Sequence, residues 1–201
     1  MFRRSLLVAA LGACALALAS PAAALRYHVR VEGKTQTIFG ANEPRFSTTA
    51  TQVTALDALE AASVAGEFFY RLQATSFGPF VDQVGRYPSA GTTGWVFKVN
   101  GVSPPVGADQ VPLREGDRVV WYFAQFGAGG GPDTLHLRRD GTRCYVVTRR
   151  NDAGVERRAA GATLSVDGRR FRARTGRACL PRHTGWVRAT LGGAIRSNAV
   201  R

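Results

Sequence analysis

Apolar and polar residues alternate through much of this chain. LRYHVRV sets Leu25, Tyr27, Val29 and Val31 against Arg26, His28 and Arg30, the period of a strand with one buried face. Glu32-Gly33-Lys34 turns the chain into TQTIFG, and the two segments predict a hairpin. In TQVTALDALEAAS the period lengthens. Val53, Leu56 and Leu59 fall on one helical face with Ala55 and Ala62, and Thr54 followed by Asp57 makes a relative of the capping box, so Thr54 is the expected cap. After Gly66 the strand period returns in EFFYRLQAT, PFVDQVGRY, GWVFKVNG and DRVVWYFAQF. Asn100-Gly101 suits a tight turn with positive φ at both central positions. Hairpin, helix and strands in this order predict an α+β unit of β-grasp type, a mixed sheet curled around one helix.

From Asp133 onward no helical period appears. TLHLRR, RCYVVTRR, GATLSVDG, RRFRART, GWVRATL and AIRSNAV read as short strands, with Asp140-Gly141 and Asp167-Gly168 at hairpin positions. The prediction is a small all-β sandwich following the β-grasp. GAGGGP, residues 127–132, reads as a flexible tether between them. Charge supports this division into 25–126, 127–132 and 133–201. The first unit carries nine Lys/Arg and nine Asp/Glu, whereas the last carries sixteen Arg, no Lys and five acids, for a net of +11.

Residues 1–24 form a separate segment: MFRR is basic, SLLVAALGACALALAS apolar, and PAAA small. This is the layout of a secretory signal with cleavage between Ala24 and Leu25. The competing reading takes Leu11-Gly12-Ala13-Cys14 as a lipobox, with a lipoprotein anchored at Cys14. Either route exports the protein to the cell surface or beyond, with no integral membrane segment in the mature chain. Cys144 and Cys179 then remain, and an even count in an exported small domain reads as one disulfide, the alternative being two separate buried thiols.

TALDALEAAS, FGPFVDQVG, GWVFKVNGVSPPVGADQ and LREGDRVVWYF together resemble the transcobalamin C-terminal-like domain, over residues 25–126. Trp95, Asn100-Gly101, Gly107-Ala108, Gly116-Asp117 and Trp121 fall at that family's signature positions, while Phe97 stands where Tyr is more usual. The resemblance implies a β-grasp module of exported bacterial proteins whose function is largely unknown. In the vitamin carriers the module closes over cobalamin together with a large helical barrel. The single good helix here supplies no barrel, so cobalamin binding implies a helical partner encoded elsewhere. The basic unit is loosely similar to immunoglobulin-like or carboxypeptidase-regulatory-like modules, which usually act as spacers or adhesion units.

Trp95, Phe97 and Val99, with Trp121 and Phe123, make either an aromatic floor for a ligand or the half of a core that faces the helix. Core is the favoured reading for most of them. Ligand contacts are therefore sought at Tyr87, Trp95, Val102, Ser103 and Tyr122, mainly on loop rims. In the basic unit, Arg169, Arg170, Arg172 and Arg174 alternate with Phe171, and Arg149-Arg150 and Arg157-Arg158 add pairs. Such a patch suits an envelope polyanion, whether wall glycopolymer, anionic lipid or extracellular DNA; the plainer alternative is a solvated surface in an Arg-preferring composition.

The signatures of catalysis are missing. EGKT at 32–35 has His28 where a phosphate loop needs glycine, and His28, His136 and His183 stand singly, away from metal-ligand spacing. No G-x-S-x-G elbow occurs. The sequence thus predicts a non-enzymatic exported binding module, without a metal, whose loops engage a small ligand or a protein partner such as another surface protein. A purely structural or adhesive protein is the alternative.

Overall fold

The structure is a computed structural model that describes residues 24–76, 78–125 and 130–201. Residues 1–23, with the expected signal and Cys14, and residues 126–129, with the first half of the expected tether, lie outside the described residues. Strands β1 (Leu25–Glu32), β2 (Thr37–Phe39), β3 (Arg45–Thr48), β7 (Thr93–Val99) and β8 (Arg118–Gln125) form the main sheet. β8 lies parallel to β1, with Val29 beside Val119, and antiparallel to β7, with Phe97 beside Trp121. β2 and β3 share the far edge of β1, β3 along its start and β2 at its end.

Helix α1 (Ala55–Gly66) begins as its residues dictate. The Thr54 hydroxyl accepts the Asp57 N–H at 3.2 Å, and the Asp57 carboxylate accepts the Thr54 N–H at 2.8 Å. At its end Gly66 is required by close approach, since a Cβ there would stand 2.5 Å from the Phe39 ring. Ala55, Ala58, Leu59 and Ala62 are buried against Val29, Val31, Val119 and Trp121. The Trp121 indole N–H donates to the Ala55 carbonyl at 3.1 Å.

The expected fold class, an α+β β-grasp followed by a small sandwich, is overturned. The chain is mostly β, with sixteen strands in four separate sheets and a single α-helix among the described residues. EFFYRLQAT and PFVDQVGRY do not extend the main sheet. They become β4 (Tyr70–Thr75) and β5 (Gly78–Val84), which pair with each other and with β6 (Tyr87–Pro88) as a sheet of their own. A bulge at Arg71/Leu72 bends β4, and Pro79 and Pro88 bring no N–H to a ladder, which suits short edges rather than a central place.

In the C-terminal half, β9 (Thr134–Arg139), β10 (Cys144–Arg150), β11 (Glu156–Arg158) and β14 (Arg177–Cys179) form one sheet. β12 (Ala162–Val166), β13 (Arg169–Ala173), β15 (Val187–Thr190) and β16 (Ala199–Val200) form another. Leu135, Leu137, Tyr145 and Val147 of the first bury against Leu164, Val166, Val187 and Ala189 of the second. The Asn100-Gly101 and Asp167-Gly168 turns have positive φ at all four residues. Cys144 and Cys179 face each other across β10 and β14 and are disulfide-bonded. Closing a loop of 35 residues of separation stabilises the fold by about 3–4 kcal/mol on the chain-entropy argument. No helix of the described residues is long and apolar enough to cross a membrane.

Candidate functional site

Alternation along β1, β7 and β8 sends every second side chain away from α1. Those positions hold Arg30, Glu32, Val96, Lys98, Val120, Tyr122 and Ala124, and the C-terminal half covers them. Val120, Tyr122 and Ala124 bury with Ile195 in a small apolar cluster. Around it lie charges removed from water. Arg30, 1% exposed, donates to Glu43 at 3.2 Å, to Glu32 at 3.0 Å and to the Arg196 carbonyl. Glu32 also receives Arg188, Arg196 at 2.9 Å and the Thr37 hydroxyl at 3.0 Å, so three guanidiniums converge on one carboxylate. Burial lowers the Arg188 guanidinium from its ordinary value, and the Glu32 charge opposes that shift.

Lys98 is fully buried. Its ammonium lies 2.6 Å from Asp152, 2.5 Å from the Pro132 carbonyl and 5.6 Å from the centre of the Tyr122 ring. Asp152 further accepts the Gly131 N–H at 2.6 Å and the Ser103 hydroxyl at 3.0 Å. Burial works to raise the Asp152 carboxyl, but Lys98, Gly131 and Ser103 together hold it below the ordinary carboxylate value. Burial, with the Asp152 charge, pushes the Tyr122 phenol up to about 12. The described end of the tether, Gly131 and Pro132, is thus pinned to both halves.

Beside this pin opens a cleft of about 440 Å³. Phe80 and Phe97 supply apolar wall, Pro104 and Val106 the opposite lip, and Tyr122, Ser103 and Asp152 the polar end. Its size and its balance of apolar wall with few polar groups are those of a small-molecule site. Of the residues expected from sequence, Trp95, Ser103 and Tyr122 line it. Trp95 is nevertheless core, 1% exposed, with its indole N–H donated to the Tyr87 carbonyl at 2.8 Å and its ring edge-on to Phe123. Trp121 is 2% exposed, so the aromatic face of the sheet is mostly core. Val102 is exposed outside the lining. Tyr87 stands apart, its hydroxyl 3.1 Å from those of Thr35 and from the Arg86 guanidinium, which hold the phenol below its ordinary range. Asp152 was not legible as a site residue, because NDAG reads as a plain turn. Lys98, a lone cation between Phe97 and Val99, was the one signal of a buried partner.

The arginine patch divides. Arg149 lies 3.6 Å from Asp133, and Arg150 is tied to Glu156 at 2.7 Å and the Asn100 carbonyl at 2.6 Å. Arg157, Arg158, Arg169, Arg170, Arg172 and Arg174 are exposed and have no ion pair among the described residues. They gather on the edge strands β11 and β13 and just beyond. No group of three or more His, Cys, Asp or Glu placed to hold a metal occurs among the described residues.

No curated protein matches the chain significantly. Among solved structures, it is similar to a candidate metal-binding protein from Ruminococcus gnavus ATCC 29149, at 18% identity and a TM-score of 0.40. That likeness covers 51% of this chain and 99% of the other. Residues 52–125, from the residues before α1 to the end of β8, match the model of a domain of unknown function, DUF4430.

Proposed function

We propose that this protein is a non-enzymatic exported binding module that holds a small, mainly apolar ligand in the cleft beside Asp152. The observation that carries this reading is the cleft itself: Phe80, Phe97, Pro104 and Val106 line it together with Ser103 and Asp152, the latter held from behind by Lys98. Val102, Val106 and Val155 are exposed apolar side chains in the segments around it, surface that a ligand or partner would cover. The disulfide supports export to an oxidising compartment. N-phenyl-1-naphthylamine, a neutral fluorescent probe, should bind saturably at one equivalent, and Val106→Glu at the lip should abolish the signal. A signal that does not saturate, or that survives Val106→Glu, refutes the reading.

A second reading rests on the six unpaired arginines: the C-terminal half associates with an anionic envelope polymer. Neighbouring uncompensated cations on an edge attract a polyanion and release its counterions. The protein should sediment with anionic cell wall at low salt and be released by several-fold more salt, and Arg170→Ala/Arg172→Ala should weaken the association. If neither activity appears, the structural or adhesive alternative stands. The transcobalamin-like residues add one arm, a titration with cobalamin in the presence and absence of a helical partner.

A further inference from the structure

A second cleft, of about 410 Å³, lies on the opposite side of Val120 from the Lys98 pin. It is built where β9 runs beside the Asn100-Gly101 turn. On β9, Leu135 and Leu137 point into the core, which leaves Thr134, His136 and Arg138 on the cleft side. Arg150, the register partner of Thr134 on β10, adds a third wall, and Arg30 and Arg118 add the floor. The turn fits Arg150 closely, since a Cβ on Gly101 would stand 2.8 Å from its Cδ.

The charges in this cleft do not balance. Four guanidiniums face two carboxylates, Glu43 and Glu156. Glu43 is shared by Arg118 and Arg30, which also meets Glu32 behind the lining, and Glu156 is taken by Arg150. Arg138 comes no closer than 4.0 Å to a carboxylate, that of Asp140. Thr134 is only 7% exposed, yet its hydroxyl has no hydrogen-bond partner among the described residues. A buried hydroxyl left unpaired is costly, and native structures seldom leave one without a partner of some kind. Burial also lowers the His136 imidazole from its ordinary value.

We infer that this cleft binds a small organic anion through a phosphate or carboxylate group, held by Arg138 and Arg118 with the Thr134 hydroxyl donating. Surplus guanidiniums in a partly enclosed space favour a compact, doubly charged group. The planar fork of Arg matches its oxygens in pairs. This site is separate from the apolar cleft and from the exposed arginines of β13, and it stands without either.

Calorimetric titration of the purified protein with inorganic phosphate and with succinate, at constant ionic strength, tests it. At least one of the two should bind saturably at one equivalent, and the tighter of them identifies the group recognised. Arg138→Ala, at an exposed position, and Thr134→Val, of matching shape, should each weaken binding by about tenfold or more, while Arg182→Ala, at an exposed position outside the cleft, leaves it unchanged. Absence of saturable binding by either anion overturns the inference. So does equal affinity in Arg138→Ala, or an equal loss in Arg182→Ala. Should Thr134→Val fail to fold, the Arg138→Ala and Arg182→Ala pair decides alone.

Discussion

The two faces of the main sheet are covered by different means. Toward α1 the contacts are Val29, Val31, Val119 and Trp121 on Ala55, Ala58 and Leu59, a non-directional apolar layer. Toward the C-terminal half, three arginines meet Glu32 and Lys98 meets Asp152, around the small patch of Val120, Tyr122 and Ile195. An apolar layer tolerates many partners of the right volume. Buried charges tolerate only a partner that presents the opposite charge at the right place, because a bare charge in that layer costs several kcal/mol. The first face holds a core together, and the second selects what docks on it.

The comparison is broken most directly by one substitution on each face. Trp121→Ala should cost about 3–5 kcal/mol through the cavity left under α1, and Glu32→Ala a similar amount by leaving Arg188 and Arg196 without a carboxylate and Arg30 with Glu43 alone. Urea unfolding followed by tryptophan fluorescence reads both. The Glu32 variant should in addition become open to protease cleavage beside Gly131 and Pro132, and the Trp121 variant should not until it unfolds. If the two behave alike, the faces do not differ in kind.

Reducing the Cys144–Cys179 bond should come next, lowering stability by about 3–4 kcal/mol in the C-terminal half. Amide exchange should rise on β10 and β14 before it rises on α1. Tyr122 sharpens the contrast at high pH. Its folded pKa is raised, so its contribution is complete below the ordinary phenol value of about 10 and lost as pH climbs to about 12. Alkaline unfolding in that window should be delayed in Tyr122→Phe, as judged by circular dichroism. The smallest effect is Thr54→Ala, about 1 kcal/mol, from loss of the cap on the apolar side.

Much of the apolar side was legible. Thr54 and Asp57 announced the start of α1, Ala55, Leu59 and Ala62 its buried stripe, and Asn100-Gly101 the turn after β7. The disulfide followed from an even cysteine count. These signals lie within a few residues of each other or depend only on composition. The polar side was not legible for the opposite reason. In LRYHVRV, Arg30 occupies a position that alternation assigns to water, and its partners Glu43 and Arg196 are 13 and 166 residues away. Lys98 and Asp152 are likewise distant, and Asp152 reads locally as a turn. The strand RFST was missed because four residues without a clear apolar rhythm carry too weak a pattern. The separate sheet of β4, β5 and β6 was missed because strand period says nothing of which neighbour a strand chooses.

The convergence of Arg188 and Arg196 on Glu32 limits how this protein can be re-engineered or shuffled. A C-terminal half taken from another protein would have to present two guanidiniums and a carboxylate at the same spacing. Otherwise it would strand a carboxylate and an ammonium on the back of the main sheet. The two halves therefore behave less like interchangeable parts than like a plug and its own socket.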